Sequence, residues 1–431
     1  MTARLAIAGG SPVRSRPFPA QNTVGEEERK AVLEVLDSGV LSQFLGEWSE
    51  DFLGGRQVKT CEQAFARRFG AEHAVSVNSA TTGLQVAVAA AGIEPGDEVI
   101  VSPYTMSASA AAVVLHDAIP VFADVEDSTY GLDPAAVRAA ITPRTRAVLV
   151  THLFGHPARM DELLEISRER ELAIVEDAAQ SIGATWRGDE TGTLGTVGVL
   201  SLNYHKIIHS GEGGMVLTQD DRAAQIARLV RNHGEAVVDE LGMDEIANTV
   251  GSNYRLGEIH AAIAVEQLKK LDALLAHRRQ LGEVLTSRLR ELPGIEPAEV
   301  ADGATHSYYV YPIRLDFDQL EGVSRDAAAK ALEAEGIPVS EGYVRPLYLQ
   351  AMYQRRIARG AKGAPWTSGH WQGKVSYQPG ICPVAERLHE RELLLLDVCR
   401  NPLETRDVED VADAFEKVLA NLDALRGIEV A

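Results

Sequence analysis

The sequence predicts an α/β protein, with a large domain built on a mostly parallel, doubly wound sheet and a smaller α+β domain at the C-terminal end. Short apolar runs alternate with helical stretches through the first half of the chain, which is the pattern of parallel strands joined by crossover helices. A long amphipathic helical region, 256–292, follows and ends at Pro293-Gly294, as expected of a helix that links two domains. We therefore place the large domain at 1–267 and the small domain at 268–431.

The large domain opens with an irregular segment, 1–57, that contains one amphipathic helix near Gly25–Leu36. The strands that follow are short apolar runs bounded by glycine or polar residues. We predict them at Ala74–Val77, Glu98–Val101, Ile119–Ala123, Ala147–Thr151, Ala173–Glu176, Thr196–Leu202 and Gly213–Thr218. The helices between them are predicted at Lys59–Phe69, Thr81–Ala91, Pro134–Ala140, Arg159–Arg170 and Ala223–Val230, with a further helix of small residues ending at Leu115. Ligands bind such sheets at the carboxyl ends of the strands.

The small domain is predicted to mix strands and helices. Strands are expected at Ser307–Leu315 and from Val339 onward, and helices at Ser324–Ala334 and Asp407–Leu419. Along 256–292, isoleucines and leucines recur at helical spacing, so this helix is expected to bury one face as it passes between the domains.

Composition narrows the classes of partner. The chain has 431 residues and a formal net charge of −20, which argues against nucleic acid or an anionic membrane surface. Its cysteines, Cys61, Cys382 and Cys399, show no metal-binding spacing, so we expect neither a metal site nor disulfides, and a reducing cytoplasm fits. No signal-peptide core opens the sequence, and no stretch reaches the roughly 18 apolar residues of a membrane span.

A single lysine, Lys206, lies in the loop between the predicted strands 196–202 and 213–218. Most loop lysines are simply solvated. Here the flanking residues are apolar and β-branched, which would desolvate the amine and lower its pKa. Ser201 ends the incoming strand, and the Gly-Glu-Gly-Gly run after the lysine lets the backbone approach a ligand closely. These features favour a lysine that condenses with a carbonyl cofactor.

Two other strand ends carry groups suited to such a cofactor. The strand at 74–77 leads through Asn-Ser-Ala-Thr-Thr-Gly into a helix, whose free N–H groups and dipole attract a phosphate. The other interpretation is that Ser79 or Thr81 is a plain N-cap there, and the two roles are compatible. The strand at 173–176 is followed by Asp177 and, three residues on, by Gln180, on one face of a predicted helix. Asp177 is either the N-cap of that helix or the partner of a protonated pyridine nitrogen.

These segments, in this order, resemble the sugar aminotransferases of the DegT/StrS group, which are fold-type I enzymes dependent on pyridoxal 5′-phosphate (PLP). The resemblance covers nearly the whole chain. It implies that Lys206 forms the Schiff base with PLP and acts as general acid–base, that Asp177 pairs with the pyridine nitrogen and that Gln180 meets the 3′-oxygen. It also implies that the cofactor phosphate is bound at Ala80, Thr81 and Ser201.

The resemblance extends to the segment Gly251-Ser-Asn-Tyr-Arg-Leu. In the family this asparagine reaches the phosphate in the partner subunit's site, which implies that Asn253 does so here, in a homodimer with shared active sites. Without the resemblance, an asparagine that holds its own turn is the simpler interpretation. The adjoining Tyr254 and Arg255 are assigned to the substrate.

One position departs from the family's pattern. An aromatic residue usually covers the pyridine face of the cofactor, but alignment on Thr105 places Met106 at that position. A polarizable thioether can pack on a ring, and the nearby Tyr104 is the alternative. Both residues are carried forward as candidates.

The resemblance implies transfer of an amino group from glutamate or glutamine to a keto sugar, which we expect to be nucleotide-linked. The alternative acceptor is a keto-cyclitol or free keto sugar of aminoglycoside-type biosynthesis, because relatives that aminate keto-cyclitols begin with a run like Gly9–Arg14. A sugar dehydratase, in which histidine replaces the lysine, is considered because of His205, but alignment on Ser201 and Gly211 selects Lys206. A non-catalytic binding protein of the same fold is the last alternative, and the retained lysine, aspartate and glutamine argue against it.

The stretch 342–385 inverts the charge of the chain. It contains no Asp or Glu, holds Trp366 and Trp371, and its cations are Arg345, Arg355, Arg356, Arg359, Lys362 and Lys374. One interpretation is a solvated basic loop or a subunit contact. The other is an anion-binding flap at the mouth of the active site, in which Arg355 and Arg356 pair with a diphosphate and an aromatic ring stacks on a base.

Overall fold

The computed structural model describes residues 3–426, which form a large sheet, a small sheet and the helices packed on them. The strands are β1 (His73–Val77), β2 (Glu98–Val101), β3 (Ile119–Phe122), β4 (Thr145–Thr151), β5 (Ala173–Asp177), β6 (Thr185–Trp186), β7 (Asp189–Glu190), β8 (Val197–Ser201), β9 (Gly214–Thr218), β10 (Ile295–Pro297), β11 (Tyr311–Leu315), β12 (Ser340–Glu341) and β13 (Leu393–Leu396). The α-helices are α1 (Glu26–Ser38), α2 (Arg56–Phe69), α3 (Ala80–Ala90), α4 (Ala108–Leu115), α5 (Pro134–Ala140), α6 (Met160–Arg170), α7 (Asp221–Arg231), α8 (Glu258–Leu289), α9 (Arg325–Ala334), α10 (Ala351–Arg355), α11 (Pro383–Arg387), α12 (Thr405–Leu419) and α13 (Leu422–Leu425).

The large sheet has the strand order β1-β9-β8-β5-β4-β2-β3. Strands β3, β2, β4, β5 and β8 pair in parallel, whereas β9 runs antiparallel to both of its neighbours, β8 and β1. Every residue of β8 and β9 is buried, as expected when helices cover both faces of a sheet. The predicted mostly parallel α/β fold is thereby confirmed, and the carboxyl ends of β4, β5 and β8 lie along one edge.

The predicted strands of the large domain are all present, each within two residues of its expected bounds. Two local predictions differ from the structure. The segment 1–57, expected to be irregular apart from one helix, also contains a 3₁₀ turn at Glu50–Leu53, and α2 begins at Arg56 rather than at Lys59. No helix follows β5, where the segment 178–184 forms turns.

The small sheet is antiparallel, with the order β10-β11-β13-β12, and its core is shared with α9 and α12. The interior strand β13 consists of four leucines, all buried. Sequence analysis missed β10, which is only three residues long and contains a glutamate and a proline. It also missed β13, because a short apolar run without alternation does not distinguish a buried strand from part of a helix. The strand predicted at Ser307–Leu315 starts later, at Tyr311.

Helix α8 is 32 residues long and passes from one domain to the other, as predicted. Its first half buries Ala261 and Ala264 against the large domain, and its second half buries Leu281, Leu285 and Leu289 in the core of the small domain. The predicted domain division at 267/268 therefore falls inside this helix. No helix in the described part of the chain is long and apolar enough to cross a membrane.

The first part of the N-terminal segment, residues 5–18, packs on the small domain rather than on the large domain to which the sequence assigned it. Arg14, the last residue of the run Gly9–Arg14, is buried and forms 2.8 Å ion pairs with Asp407 and Asp410 of α12. Its guanidinium also lies 3.9 Å from the centre of the Phe18 ring. In this structure the run anchors the N-terminal arm to the small domain, away from the strand ends.

The basic stretch 342–385 belongs to the small domain in sequence but packs on the large domain. Its aromatic residues Tyr353, Trp366 and Tyr377 pack around Phe122 at the β3 edge of the large sheet. Neither domain is thus built from one contiguous segment, and 342–385 straps the small domain to the large one.

Candidate active site

A cavity of about 210 Å³ lies where the carboxyl ends of β4, β5 and β8 meet the first turn of α3. The large domain supplies most of its wall, and Tyr309 and Tyr343 contribute from the C-terminal part of the chain. The predicted site residues that line it are Ala80, Thr81, Met106, Asp177, Gln180, Ser201 and Lys206. A larger cavity of about 630 Å³, between α2 and α7, contains none of the predicted site residues.

Lys206 lies in the loop between β8 and β9, and its side chain is buried. Its Nζ is 4.3 Å from the centre of the Tyr309 ring. Burial lowers the pKa of Lys206 to about 8, and the negative charge of Asp177 opposes this shift only in part. A neutral, nucleophilic amine is therefore accessible near neutral pH, as the apolar flanks of the lysine predict.

The backbone around Lys206 is held from two sides. Gln21 of the N-terminal arm donates from Nε2 to the Lys206 carbonyl at 3.2 Å, and the Gln21 Oε1 accepts from Arg278 of α8 at 3.1 Å. The His209 N–H donates to Gln267, also in α8, at 3.4 Å. Sequence analysis did not anticipate these contacts, which fix the loop that carries the lysine.

Asp177 is the last residue of β5 and is buried. Its Oδ2 accepts from Ser109 Oγ at 2.7 Å, and its Oδ1 accepts from the Ala179 N–H at 3.2 Å. Because turns follow β5, the alternative that Asp177 caps a helix is wrong, and so is the expectation that Gln180 shares a helical face with it. A turn and one hydroxyl hold the carboxylate at the wall of the cavity instead.

Gln180 is held by both ends of its amide group. The Oε1 accepts from the Phe154 N–H at 2.9 Å, and Nε2 donates to Tyr343 Oη at 2.9 Å, which leaves one N–H of the amide for a ligand. The Tyr343 N–H donates to Tyr104 Oη at 2.9 Å. Tyr104 is completely buried and does not line the cavity, so it positions Tyr343 and does not cover a cofactor ring. Of the two candidates, Met106 is the one on the cavity wall, with half of its surface exposed.

The first turn of α3 has free N–H groups at the cavity. Ser79 is the N-cap, and its Oγ accepts from the Thr82 N–H at 3.1 Å. This cap leaves the N–H groups of Ala80 and Thr81 without an intrahelical partner. The N-cap at Ser79 is therefore compatible with an anion site at the N–H groups of Ala80 and Thr81, as the sequence analysis allowed.

Ser201 lies beside this first turn because the backbone of β9 packs closely against the start of α3. It pairs with Gly214 across β8 and β9, and a Cβ on Gly214 would lie 2.8 Å from the Ala80 nitrogen. Only glycine allows β9 to pack so closely against the start of α3. The Ser201 hydroxyl and the free N–H groups thus face one cavity, which suits a phosphate.

The Asn-Tyr-Arg segment lies outside this cavity. Asn253 is exposed, and its Oδ1 accepts from the Arg255 N–H at 3.4 Å, a turn contact. Tyr254 donates from Oη to Gln85 at 2.8 Å, and Arg255 donates from Nε to Asn232 at 2.8 Å. The substrate contacts predicted for Tyr254 and Arg255 are therefore not formed within one subunit.

Arg355 and Arg356 do not line the cavity either. Both side chains are exposed, and Arg356 donates from Nη2 to the Val375 carbonyl at 2.6 Å. The structure therefore does not form the predicted diphosphate site from these arginines within one subunit.

The two tryptophans of the basic stretch belong to the protein interior. Trp366 donates from Nε1 to Tyr377 Oη, and Trp371 donates to Glu98 Oε1, each at 2.9 Å. Both rings are buried, so the expectation that an aromatic of this stretch stacks on a nucleotide base is wrong for Trp366 and Trp371. Their role is to attach the strap to the large domain.

Sequence analysis missed several residues of the cavity wall. Tyr309 and Tyr343 lie far along the chain from Lys206, so no local pattern connects them to it. Asn203 donates from Nδ2 to both carboxylate oxygens of Glu212, at 2.9 and 3.0 Å. Thr151, by contrast, ends the predicted strand β4, and the strand-end rule was a signal that pointed to it.

The groups on the wall suit PLP. The helix N-terminus and the Ser201 hydroxyl can hold a phosphate, the Asp177 carboxylate can pair with a pyridinium, and the Lys206 amine has no hydrogen-bond or ion-pair partner within residues 3–426. The buried hydroxyl of Thr151, also on this wall, has no hydrogen-bond partner in the described part of the chain. Buried polar groups without partners are costly, so their convergence on one cavity is evidence for a polar ligand there.

Comparisons with known proteins indicate the family of proteins to which this chain is similar. Residues 22–369 match the model of the DegT/DnrJ/EryC1/StrS aminotransferase family. The L-glutamine:2-deoxy-scyllo-inosose aminotransferase of Streptomyces lividus is 36% identical, over 97% of this chain and 98% of that protein. The L-glutamine:scyllo-inosose aminotransferase of Streptomyces griseus is 36% identical, over 98% and 99%. The solved structure of an aminotransferase from Psychrobacter cryohalolentis superposes with a TM-score of 0.80 at 26% identity, covering 94% of this chain and all of that one.

Proposed function

The chain belongs to the DegT/DnrJ/EryC1/StrS aminotransferase family and is a PLP-dependent transaminase of fold type I, and we propose that it moves an amino group from L-glutamine to a keto-cyclitol. This acceptor is the alternative that the sequence left open, and it replaces the nucleotide-linked keto sugar as the preferred substrate. The relatives that match over almost their whole length are named for L-glutamine and for scyllo-inosose or its 2-deoxy form, which supports both halves of the proposal.

The character of the cavity carries the proposal. Among its lining residues Lys206 is the one Lys or Arg, and the N-terminus of α3 is already suited to the cofactor phosphate. A diphosphate is usually held by arginines or by further helix N-termini, and the wall supplies neither for a second anion. Asn203, Glu212 and the two tyrosines instead offer neutral or acceptor groups, which suit the hydroxyls of a polyhydroxylated ring.

Each group on the wall then has a definable task. When bound, PLP serves as the electron sink that lets the donor's Cα–H bond break and carries the amino group to the acceptor. Near pH 8 part of the Lys206 amine is neutral, so its Nζ can take the proton from that carbon. In the reverse direction of the reaction the same Nζ gives the proton back. Asp177, fixed by Ser109, presents its negative charge to the pyridine nitrogen. The Tyr309 ring covers the amine and keeps water from it.

A second subunit completes this arrangement in the proposal. The Asn253 side chain is exposed, and its flanking residues Ser252 and Tyr254 line a surface cavity together with Val250 and Leu115. Val250 and Leu115 are 78% and 51% exposed. Exposed apolar residues beside this segment support a homodimer whose subunits share active sites.

The acceptor is tested by amine formation from a panel with L-glutamine as donor. The panel contains 2-deoxy-scyllo-inosose, scyllo-inosose, a free keto-hexose and a nucleotide-linked keto sugar. We expect the highest kcat/KM with one of the two cyclitols. Arg355→Ala/Arg356→Ala should leave the KM for that cyclitol unchanged, because neither side chain lines the cavity.

Two results would contradict the proposed acceptor or donor. Preferred turnover of the nucleotide-linked sugar, with a raised KM in the double arginine variant, would restore the diphosphate hypothesis. L-glutamate consumed in preference to L-glutamine would overturn the assignment of the donor.

A further inference from the structure

Thr151 is a buried polar residue to which the resemblance assigns no role. It is the last residue of β4 and is 3% exposed, yet its Oγ1 has no hydrogen-bond partner in the described structure. A hydroxyl buried without a partner loses its hydrogen bonds to water and gains none in return, which destabilises the protein. A ligand that supplies the missing partner would remove that cost.

The surroundings of Thr151 indicate which ligand group it meets. In the large sheet Thr151 pairs with Asp177, the residue suited to the pyridine nitrogen. Three residues further along the chain, the Phe154 N–H holds the Oε1 of Gln180, the residue assigned to the 3′-oxygen. Thr151 thus lies on the cavity wall between the attachments of the two groups that bind the edge of the pyridine ring.

We propose that Thr151 is a further cofactor-binding residue, whose hydroxyl donates a hydrogen bond to the 3′-oxygen of bound PLP. That oxygen is an anionic acceptor, and a hydrogen bond to a charged group is worth more than a neutral one. The Thr151 hydroxyl and the free N–H of Gln180 would then act as a pair of donors to one oxygen. The proposal concerns the cofactor alone, so it stands or falls separately from the identity of the acceptor.

The test compares Thr151→Val, which keeps the shape and removes the hydroxyl, with Thr151→Ser, which keeps the hydroxyl. Apoprotein of each variant is titrated with PLP and with 3-deoxypyridoxal 5′-phosphate, which lacks the 3′-oxygen, and binding is followed by quenching of tryptophan fluorescence. The melting temperature of each apoprotein is measured separately.

We expect Thr151→Val to bind PLP about tenfold more weakly or worse, a change that corresponds to about 1.4 kcal/mol. The same variant should bind the 3-deoxy analogue as the parent does, because the analogue has no oxygen to accept the bond. Thr151→Ser should bind PLP within about threefold of the parent. The Thr151→Val apoprotein should melt no lower than the parent, since the substitution breaks no bond inside the protein.

Three results would overturn the proposal. PLP binding unchanged in Thr151→Val would show that the hydroxyl meets no cofactor group. An equal loss of affinity for PLP and for the 3-deoxy analogue would show that the hydroxyl does not address the 3′-oxygen. A Thr151→Val apoprotein that melts well below the parent would show that the hydroxyl has a partner within the protein.

Discussion

At the scale of single residues, burial decides the chemistry of Lys206. The amine lies against the Tyr309 ring with no carboxylate bonded to it, so the charged form is poorly solvated. A solvated lysine would be almost fully protonated at neutral pH, because its ordinary pKa is about 10.4. The depressed pKa makes the same side chain a nucleophile and a proton acceptor in the physiological range.

The first prediction concerns the pH dependence of cofactor attachment. In apoprotein the rate at which added PLP gains its protein-bound visible absorbance should rise with pH and level off above about 8, the pKa of Lys206. Below that pH the protonated amine is not nucleophilic, so the rate should fall about tenfold per pH unit. Lys206→Ala should show no such absorbance change. A rate that keeps rising in proportion to hydroxide up to pH 10 would mean that the lysine is solvated.

Asp177 supports a prediction about charge, because its carboxylate is the group on the cavity wall that suits a pyridine nitrogen. Asp177→Asn keeps the size and removes the charge, and we expect turnover to fall at least ~10³-fold, or about 4 kcal/mol of transition-state stabilisation. Ser109→Ala is the matched control, since it leaves the Asp177 charge in place, deletes the 2.7 Å bond to Oδ2 and two 3.4 Å contacts with Thr105 and Met106, and should cost about tenfold or less. Steady-state kinetics decides, and a loss below tenfold in Asp177→Asn would leave the residue only its turn contact.

At the scale of elements, the site is built where strand ends meet a helix start and an N-terminal arm. Strands β4, β5 and β8 supply Thr151, Asp177 and Ser201, each as the final residue of its strand. The arm contributes Gln21, whose Nε2 donates a hydrogen bond to the Lys206 carbonyl at 3.2 Å and whose Oε1 accepts one from Arg278 at 3.1 Å. The Arg278 guanidinium also donates to the Tyr308 carbonyl at 2.7 Å, next to Tyr309. The arm thus connects the lysine loop to the segment that covers it.

Gln21 therefore supports a prediction that separates stability from positioning. Gln21→Glu can still accept from Arg278, and gains an ion pair, but cannot donate to the Lys206 carbonyl. We expect it to melt at or above the parent temperature while kcat falls about three- to tenfold, because the lysine loop loses a tether. Gln21→Ala should lose activity similarly and also melt lower, since the buried Arg278 loses a partner. Parental kcat in Gln21→Glu would mean that the arm is only a structural element.

At the scale of the whole molecule, the two domains are joined by more than the covalent linker. Helix α8 passes through both cores, residues 5–18 of the N-terminal arm pack on the small domain, and the strap 342–385 packs on the large one. Residues from both domains line the cavity, so its shape depends on this joint packing. A subunit interface would add the last component.

The shared-site proposal predicts complementation between two inactive variants. Asn253→Ala and Lys206→Ala should each be impaired alone, but a hybrid dimer contains one site with an intact lysine from one subunit and an intact asparagine from the other. Mixing under conditions of subunit exchange should restore activity to about one site per hybrid. Exchange demonstrated with a tag, without recovery of activity, would make Asn253 a turn residue that acts within its own subunit.

The contact between the domains also predicts acid sensitivity. Burial lowers the pKa of His156 to about 4, and its Nε2 accepts from the Ala301 N–H at 3.0 Å, so the ring is held neutral in the folded state. The unfolded chain binds a proton near pH 6.5 and the folded chain only near pH 4, so stability is lost as pH falls between these values. Burial likewise lowers the pKa of the neighbouring His306, which adds to the effect.

We expect the loss from His156 to reach about 2 kcal/mol at pH 5 relative to pH 7.5, measured by urea unfolding. The variant His156→Gln does not titrate and keeps a donor and an acceptor, so its stability should fall less over the same interval. A parent and variant with identical pH slopes would show that folding does not change the pKa of His156.

The sequence by itself determined the parts of the protein that follow from local order. Alternating runs gave the strands of the large sheet, and the strand-end rule placed Asp177, Ser201 and the start of α3 at one edge. Apolar flanks predicted the buried state of Lys206 correctly. Each of these inferences depends only on periodicity, on the chemistry of neighbours in the chain and on the general geometry of parallel sheets.

Tertiary structure decided everything that depends on contacts between distant segments. The sequence showed the aromatic and basic residues of 342–385 but not that Trp366 and Trp371 turn inward, away from any ligand. It gave no sign that Tyr309 and Tyr343 close the cavity, or that Thr151 is left there without a partner. The physical reason is that burial and the pairing of hydrogen-bonding groups depend on tertiary packing. Which face of a segment is covered depends on the segments that pack against it, and local periodicity does not identify those segments.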